Sequence, residues 1–270
     1  MKYNIVLTVA GSDSGGGAGI QADIKTISAC GCYAASAITA ITVQNTLGVK
    51  AVHPIPVDVI GQQIEAVIED IGVDAVKIGM LHSAEVVEGV TKTLTKFHVK
   101  NIVLDPVMVS TSGHRLIEEN AINTLVEKLV PLARVITPNI PEAEILLGGV
   151  KLEHQSELPE AAERLAQKTG TSVLLKAGHL TEDKLVDIFY DIENKCVYEL
   201  PSVRVHTKNT HGTGCTMSSA FASFLAKGFS LQEAAAEAKK YINNAIVAGA
   251  DYEIGHGFGP VKHFFGYWND

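Results

Sequence analysis

Short apolar runs rich in β-branched residues recur along the chain and alternate with longer segments in which apolar positions return every three or four residues. The runs at 5–10, 34–43, 75–78, 102–104, 135–136 and 173–175 read as buried strands covered on both faces. Between them, residues 19–30, 57–71, 84–97, 115–129, 141–147 and 158–167 carry the helical period. This order predicts βαβ units around a mostly parallel sheet, an α/β fold. From Lys184 the pattern changes: residues 185–190 and 196–200 flank the polar Asp191-Ile192-Glu193-Asn194-Lys195, as in an antiparallel hairpin on the sheet edge. Two final helices, residues 214–227 and 231–248, meet at Gly228-Phe229-Ser230, where glycine stops one and serine caps the next. No linker, repeat or low-complexity tract interrupts the order, so residues 1–270 read as a single domain.

Composition narrows the class. With 46% hydrophobic and 19% charged residues the chain has the balance of a well-cored globule, and a chain of 270 residues needs no disulfide or metal staple. Lys+Arg 22 against Asp+Glu 30 gives a net charge of −8, which offers no electrostatic footprint for a nucleic-acid backbone. Four cysteines without a C-x-x-C pair and ten scattered histidines suggest neither a disulfide framework nor a zinc site. No apolar stretch approaches membrane-spanning length, and the N-terminal run is too short for a signal peptide, so a cytoplasmic, reducing environment is expected.

Chemically unusual residues cluster just after strands, where open parallel sheets bind ligands. The first strand ends in Gly11-Ser12-Asp13-Ser14-Gly15-Gly16-Gly17-Ala18-Gly19, leading into a helix. That glycine density fits either a sharp turn or a backbone lying against a ligand, and the segment lacks the lysine of a P-loop. Asp23, one turn into the helix, is also compatible with a solvated carboxylate near a positive helix end. Thr210-His211-Gly212-Thr213-Gly214-Cys215-Thr216 precedes an apolar helix, so its amides are candidates for an anion hole or a plain glycine-rich cap. The helix start should lower the thiol pKa of Cys215 from about 8.5. Asp105 and Glu142 follow neighbouring strands and suit Mg²⁺ beside nucleotide phosphates; separately, each suits a cap or turn. Lys176, after another strand, is placed to neutralise phosphate charge or simply to be solvated.

Taken together, residues 10–23, Lys77-Ile78-Gly79-Met80-Leu81, Asp105-Pro106-Val107-Met108, Thr137-Pro138-Asn139-Ile140-Pro141-Glu142 and His211-Gly212-Thr213-Gly214-Cys215 resemble the hydroxymethylpyrimidine/phosphomethylpyrimidine kinases of thiamine biosynthesis. The resemblance runs from residue 5 to about 248. It implies a ribokinase-like three-layer sandwich and ATP- and Mg²⁺-dependent phosphorylation of 4-amino-5-hydroxymethyl-2-methylpyrimidine, then of its monophosphate. It places Gly11, Ala18 and Asp23 at the pyrimidine end, with Met80 and Val107 as walls and Gln44 pairing with the heterocycle edge. A carboxamide offers the donor and acceptor that an aminopyrimidine requires. It puts Asn139, Glu142, Lys176 and Thr213 on the ATP side, Asp105 and Glu142 on the metal, and Cys215, Lys176, Gly212 and Gly214 at the transferring phosphoryl group. Cys215 stands where many relatives carry a basic Asp, as a base or as an amide donor only. The resemblance also implies a homodimer, with residues 48–55 as an edge or flap near the partner.

Pyridoxal or pyridoxine is the competing substrate within the family, where the position of Gln44 tends to be apolar; a carboxamide there favours the pyrimidine. A sugar kinase fits less well because Asp is missing at 215, and a non-catalytic vitamin-precursor binder would not need the Asp105, Glu142, Lys176 and Cys215 set. The chain ends soon after its last helix, so no fused thiamine phosphate synthase domain is expected.

Overall fold

The computed structural model describes residues 2–108 and 116–268. Among the described residues, nine strands form one sheet in the order β3-β2-β1-β4-β5-β6-β7-β8-β9. These are β1 (Ile5–Asp13), β2 (Tyr33–Asn45), β3 (Gly48–Pro54), β4 (Ala75–Ile78), β5 (Ile102–Leu104), β6 (Val135–Ile136), β7 (Ser172–Leu175), β8 (Lys184–Asp191) and β9 (Cys196–Val203). The neighbouring strands β2, β1, β4, β5, β6 and β7 pair in parallel, and β3, β8 and β9 pair antiparallel at the two edges.

Helices cover both faces. One apolar layer joins the sheet to α2 (Val57–Asp70), α3 (Ala84–Lys96), α4 (Glu119–Thr124), α5 (Ile140–Leu146) and α6 (Leu158–Thr169), through residues such as Ile64, Val90, Leu165 and Ile78. The other joins it to α1 (Gly19–Ala29), α7 (Thr213–Ala226) and α8 (Leu231–Gly249), through Ile27, Phe221, Ala238 and Val103. Helix ends follow local chemistry. Asn139 and Ser230 cap α5 and α8 in reciprocal capping boxes with Glu142 and Glu233, and Gly170 closes α6 in a left-handed conformation. Among the described residues, no helix is long and apolar enough to cross a membrane.

Three expectations change. The sheet has a second antiparallel edge, β2–β3, paired from Ala40↔Pro54 to Asn45↔Gly48. Because an antiparallel ladder can leave one face uncovered, β2 is not buried on both sides: Ile41 is 39% and Val43 54% exposed. The helix expected over 115–129 begins outside the described residues. Its remainder is the short α4, then a π-helical turn at Leu125–Leu129 and a 3₁₀ turn at Val130–Leu132, where Pro131 contributes no amide proton to continue the ladder.

Candidate active site

The carboxyl ends of the parallel strands open into a cavity of about 1000 Å³. Gly11 and Ala18 reach it from the β1–α1 segment, Gln44 from the end of β2, and Met80 and Val107 from the loops after β4 and β5. Asp105, Asn139, Glu142 and Lys176 line its middle, and Gly212, Thr213, Gly214 and Cys215 line it from the start of α7.

Asp23 is the exception, and its expected place at the pyrimidine end is corrected. It is fully buried and is not among the lining residues. Both carboxylate oxygens are occupied: Lys77 Nζ donates to them at 2.8 and 2.9 Å, Thr8 Oγ1 donates to Oδ2 at 2.6 Å and Ser219 Oγ to Oδ1 at 2.7 Å. A carboxylate with this many internal donors ties α1 to β1, β4 and α7 and has no edge left for a ligand. Its partner Lys77, also fully buried, lines the cavity instead. Burial opposes the Lys77 charge, but Asp23, then Cys215 and Asp105, outweigh it and raise the ammonium above its ordinary range. A lysine inside a four-residue buried strand was the available sequence signal for this pair.

The cationic end of the cavity is built around Lys176. Its Nζ lies 2.9 Å from Asp105 Oδ1, which also accepts from Thr137 Oγ1 at 3.0 Å. Burial disfavours the lysine's charge, whereas Asp105 and then Glu142 hold the ammonium above its usual value. Facing it, Gly212 caps α7 in a left-handed conformation with no side-chain cap, so the first-turn amides have no partner within the helix. Amides and ammonium together offer donors and positive charge suited to an anion.

Cys215 departs from expectation. Burial, the largest influence, pushes its thiol up to about 11; Lys77 and the Gly19 amide pull it down, while Asp23 and Asp105 push it further up. The helix start is outweighed by desolvation and two nearby carboxylates, and the resting group is a thiol.

Glu142 caps α5, accepting from the Asn139 amide at 2.9 Å and the Met108 amide at 3.4 Å. Burial carries its pKa up to about 7; Lys176 lowers it, Asp105 raises it, and the amides of Asn139 and Met108 lower it. The carboxylate therefore forms as pH rises through about 7. Binding of a metal-bearing polyphosphate against this carboxylate is expected to tighten between about pH 6 and 8, and Glu142→Gln to keep only the component belonging to the ligand. A native-like profile in E142Q would contradict this.

At the opposite end, Asp13 accepts from the amides of Gly15, Gly17 and Ala18 at 2.8, 3.0 and 2.8 Å and lies 2.8 Å from His211 Nε2. Burial pushes this carboxyl up, but His211 and the Ala18 and Gly15 amides outweigh it and hold it below the usual range. Gln44 reaches the same histidine at 3.2 Å. Sequence reasoning did not single out Asp13 or His211, because their connection spans 198 positions. It also missed α8, whose Lys239, Asn243 and Ile246 line the cavity; Lys239 is paired to Asp187 at 2.7 Å.

Comparisons with known proteins bear on the family. Residues 13–262 match the family model for phosphomethylpyrimidine kinase. A hydroxymethylpyrimidine/phosphomethylpyrimidine kinase from Rhizobium meliloti is 47% identical, over 98% of this chain and 99% of that protein. A thiamine biosynthesis bifunctional protein from Geobacter sulfurreducens is 48% identical over 96% of this chain, which spans about half (52%) of that longer protein. Among solved structures, an ADP complex of Bacillus subtilis pyridoxal kinase superposes with a TM-score of 0.90 at 38% identity, over 99% of this chain and 100% of that one. With a full-length relative at this identity and a family model covering most of its length, the chain belongs to the phosphomethylpyrimidine kinase family.

Proposed function

We propose that the protein transfers the γ-phosphoryl group of ATP to the hydroxyl of 4-amino-5-hydroxymethyl-2-methylpyrimidine and then to the resulting monophosphate, giving the diphosphate used in thiamine biosynthesis. One observation carries the reading: a single cavity joins a carboxamide at one end, Gln44, to an anion site of lysine and helix amides at the other. Gln44 pairs with the aminopyrimidine edge, with Met80 and Val107 beside the ring and the Gly11 and Ala18 backbone around it. Asn139, Glu142, Lys176 and Thr213 take the nucleotide side.

Lys176 and the amides of Gly212 to Cys215 hold the charge of the phosphoryl group in flight, so that positioning and electrostatics supply most of the rate. Among the described residues no cluster of three or more His, Cys, Asp or Glu side chains could hold a metal alone. Two carboxylates, Asp105 and Glu142, fit Mg²⁺ that arrives with the nucleotide, because this ion keeps waters and phosphate oxygens in its shell. Bound there, it would neutralise phosphate charge. Cys215 is a thiol at rest and acts on the acceptor hydroxyl only if substrate arrival favours proton loss. Cys215→Ala is expected to lower kcat by about 10²-fold with the KM for ATP changed less than about twofold, and Cys215→Asp to retain part of the rate; native kcat in the alanine variant would leave Cys215 a structural role.

A homodimer is part of the reading. Supporting it, Ile41, Val43 and Leu47 (66% exposed) lie on or beside the β2–β3 edge, an apolar surface suited to a second copy. The four cysteines are free, as a cytoplasmic protein requires, and the acidic charge gives nucleic acid no purchase. The test is ADP release with Mg-ATP and four acceptors in parallel: the hydroxymethylpyrimidine, its monophosphate, pyridoxal and ribose. Turnover on the first two is expected; turnover on pyridoxal alone would move the protein to vitamin B6 chemistry.

A further inference from the structure

We propose that His211 is a positioning residue for specificity, which together with Thr42 locks the Gln44 carboxamide one way round, oxygen toward His211 and NH₂ toward Thr42. The proposal rests on the reading that Gln44 meets the substrate heterocycle.

The argument begins at Asp13. Its Oδ1 accepts from the Gly15 amide, and its Oδ2 from the amides of Gly17 and Ala18. A carboxylate ringed by donors is an acceptor only, so His211 Nε2, 2.8 Å from Oδ2, carries a hydrogen. The same nitrogen has no lone pair for its second neighbour, the end of Gln44 at 3.2 Å, so an NH₂ there is opposed and an oxygen there shares the proton with Asp13. The other end of the carboxamide lies 3.1 Å from Thr42 Oγ1. The single Thr42 proton goes to the Ser12 carbonyl at 2.8 Å, so toward Gln44 the hydroxyl offers lone pairs and the end facing it must donate. With Nε2 at the His211 end and Oε1 at the Thr42 end, donor meets donor at the histidine and one hydroxyl proton is divided between two acceptors. A half-turn of the amide leaves the shape unchanged, removes the donor–donor meeting and lets the NH₂ donate to Thr42, while the His211 proton, donated chiefly to Asp13 at 2.8 Å, is shared with the Gln44 oxygen at 3.2 Å.

The histidine cannot turn to evade this constraint. Its amide donates to the Gly259 carbonyl at 3.0 Å, and the 258–260 segment is itself pinned where the Phe258 amide donates to the Thr46 carbonyl at 2.9 Å. Gly17 packs so closely on the ring that a Cβ there would overlap His211 Cδ2. The Gln44 backbone is clamped as well: its amide donates to Ser14 Oγ at 2.9 Å, and that hydroxyl donates to its carbonyl at 2.7 Å. With the backbone held, His211 and Thr42 are the partners that fix the carboxamide end of the side chain.

A locked amide presents to the cavity one N–H and one oxygen lone pair in fixed order. A 4-aminopyrimidine edge, with acceptor ring nitrogen beside donor amine, matches in one orientation of the ring. A 4-oxopyrimidine edge carries the reverse order, ring N–H beside carbonyl oxygen, and is matched in that orientation only if the amide turns over. His211 thereby sets the preference for amino over oxo.

The experiment compares kcat/KM for 5-hydroxymethyl-2-methylpyrimidines bearing 4-amino or 4-oxo groups. The native enzyme is expected to prefer the amino compound by at least about 10²-fold. His211→Phe should reduce that ratio at least about tenfold, while His211→Gln, with two amide protons for Asp13 and Gln44, should keep it within about threefold. A merely structural histidine would lower both rates and leave the ratio alone, so a native ratio in H211F, or equal losses in H211F and H211Q, overturns the proposal. If H211F does not fold, Thr42→Val reads the other end of the amide: a reduced ratio supports the lock and a native ratio overturns it. Gln44→Met separates the two claims. A native ratio in Q44M means that Gln44 does not meet the heterocycle; a collapsed ratio in Q44M with native ratios in H211F and T42V defeats the lock alone.

Discussion

Lys176→Met is expected to lower kcat by about 10²–10³-fold and, in the same variant, to reduce folding stability by up to roughly 3–5 kcal/mol. The two effects have separate causes. The first is loss of the ammonium proposed to hold phosphoryl charge beside the start of α7, where a Cβ on Gly214 would lie 3.2 Å from Lys176 Nζ. The second is the carboxylate left behind. Asp105 is 3% exposed and, among the described residues, would keep Thr137 as its side-chain hydrogen-bond partner, so its buried charge would lose its direct ion-pair partner. Adding Asp105→Asn removes the orphaned charge while leaving an amide that can still meet Thr137. The double variant should therefore recover most of the stability and none of the rate, read by denaturant unfolding and steady-state kinetics. A K176M enzyme within about fivefold of native kcat would remove Lys176 from the chemistry.

Gly212→Ala should cost at least about 10² in kcat/KM, whichever acceptor is offered. Gly212 has φ +79°, which costs a residue with a Cβ about 1–2 kcal/mol. More important is what the methyl group would strike. It would overlap the Gly17 carbonyl and approach Ala18 Cα at 3.2 Å, so either the β1–α1 glycine segment or the first turn of α7 must move. Each movement opens the junction between the heterocycle end and the phosphoryl end. Gly228→Ala is the control: its φ of +86° imposes similar strain, but nothing lies within 4 Å of the added carbon. G228A should lose stability and keep its kinetics. If G212A and G228A behave alike in both assays, the glycine at 212 serves backbone conformation alone.

The parallel strands were legible because each is a short apolar run between polar turns; 75–78, 102–104 and 135–136 coincide with β4, β5 and β6. The β2–β3 edge was not, because Thr46-Leu47 carries none of the glycine or asparagine chemistry of a tight hairpin turn, and Lys50 and His53 interrupt the alternation expected of a strand. Site residues carried on glycine-rich segments and strand ends were legible for the same local reasons, and all of those named line the cavity except Asp23. The position of Asp23 on α1 conveys nothing about its partner, since Lys77 lies 54 residues away, and the pair exists only once α1 packs on the sheet. Cys215 was misread for a related reason: the local effect of a helix start is visible in sequence, whereas burial and the fields of Asp23 and Asp105 depend on tertiary structure. His211 stood in plain view within the glycine motif, but its meeting with Asp13 and Gln44 depends on three segments converging.

The central claim is that one cavity reads an aminopyrimidine and phosphorylates it twice. The most direct measurement incubates the purified protein with γ-labelled Mg-ATP and 4-amino-5-hydroxymethyl-2-methylpyrimidine, with pyridoxal in a parallel reaction, and follows label into products over time. The account predicts labelled monophosphate first, then diphosphate formed at its expense, with pyridoxal the poorer acceptor. Label appearing in pyridoxal phosphate while the pyrimidine stays unlabelled would contradict it.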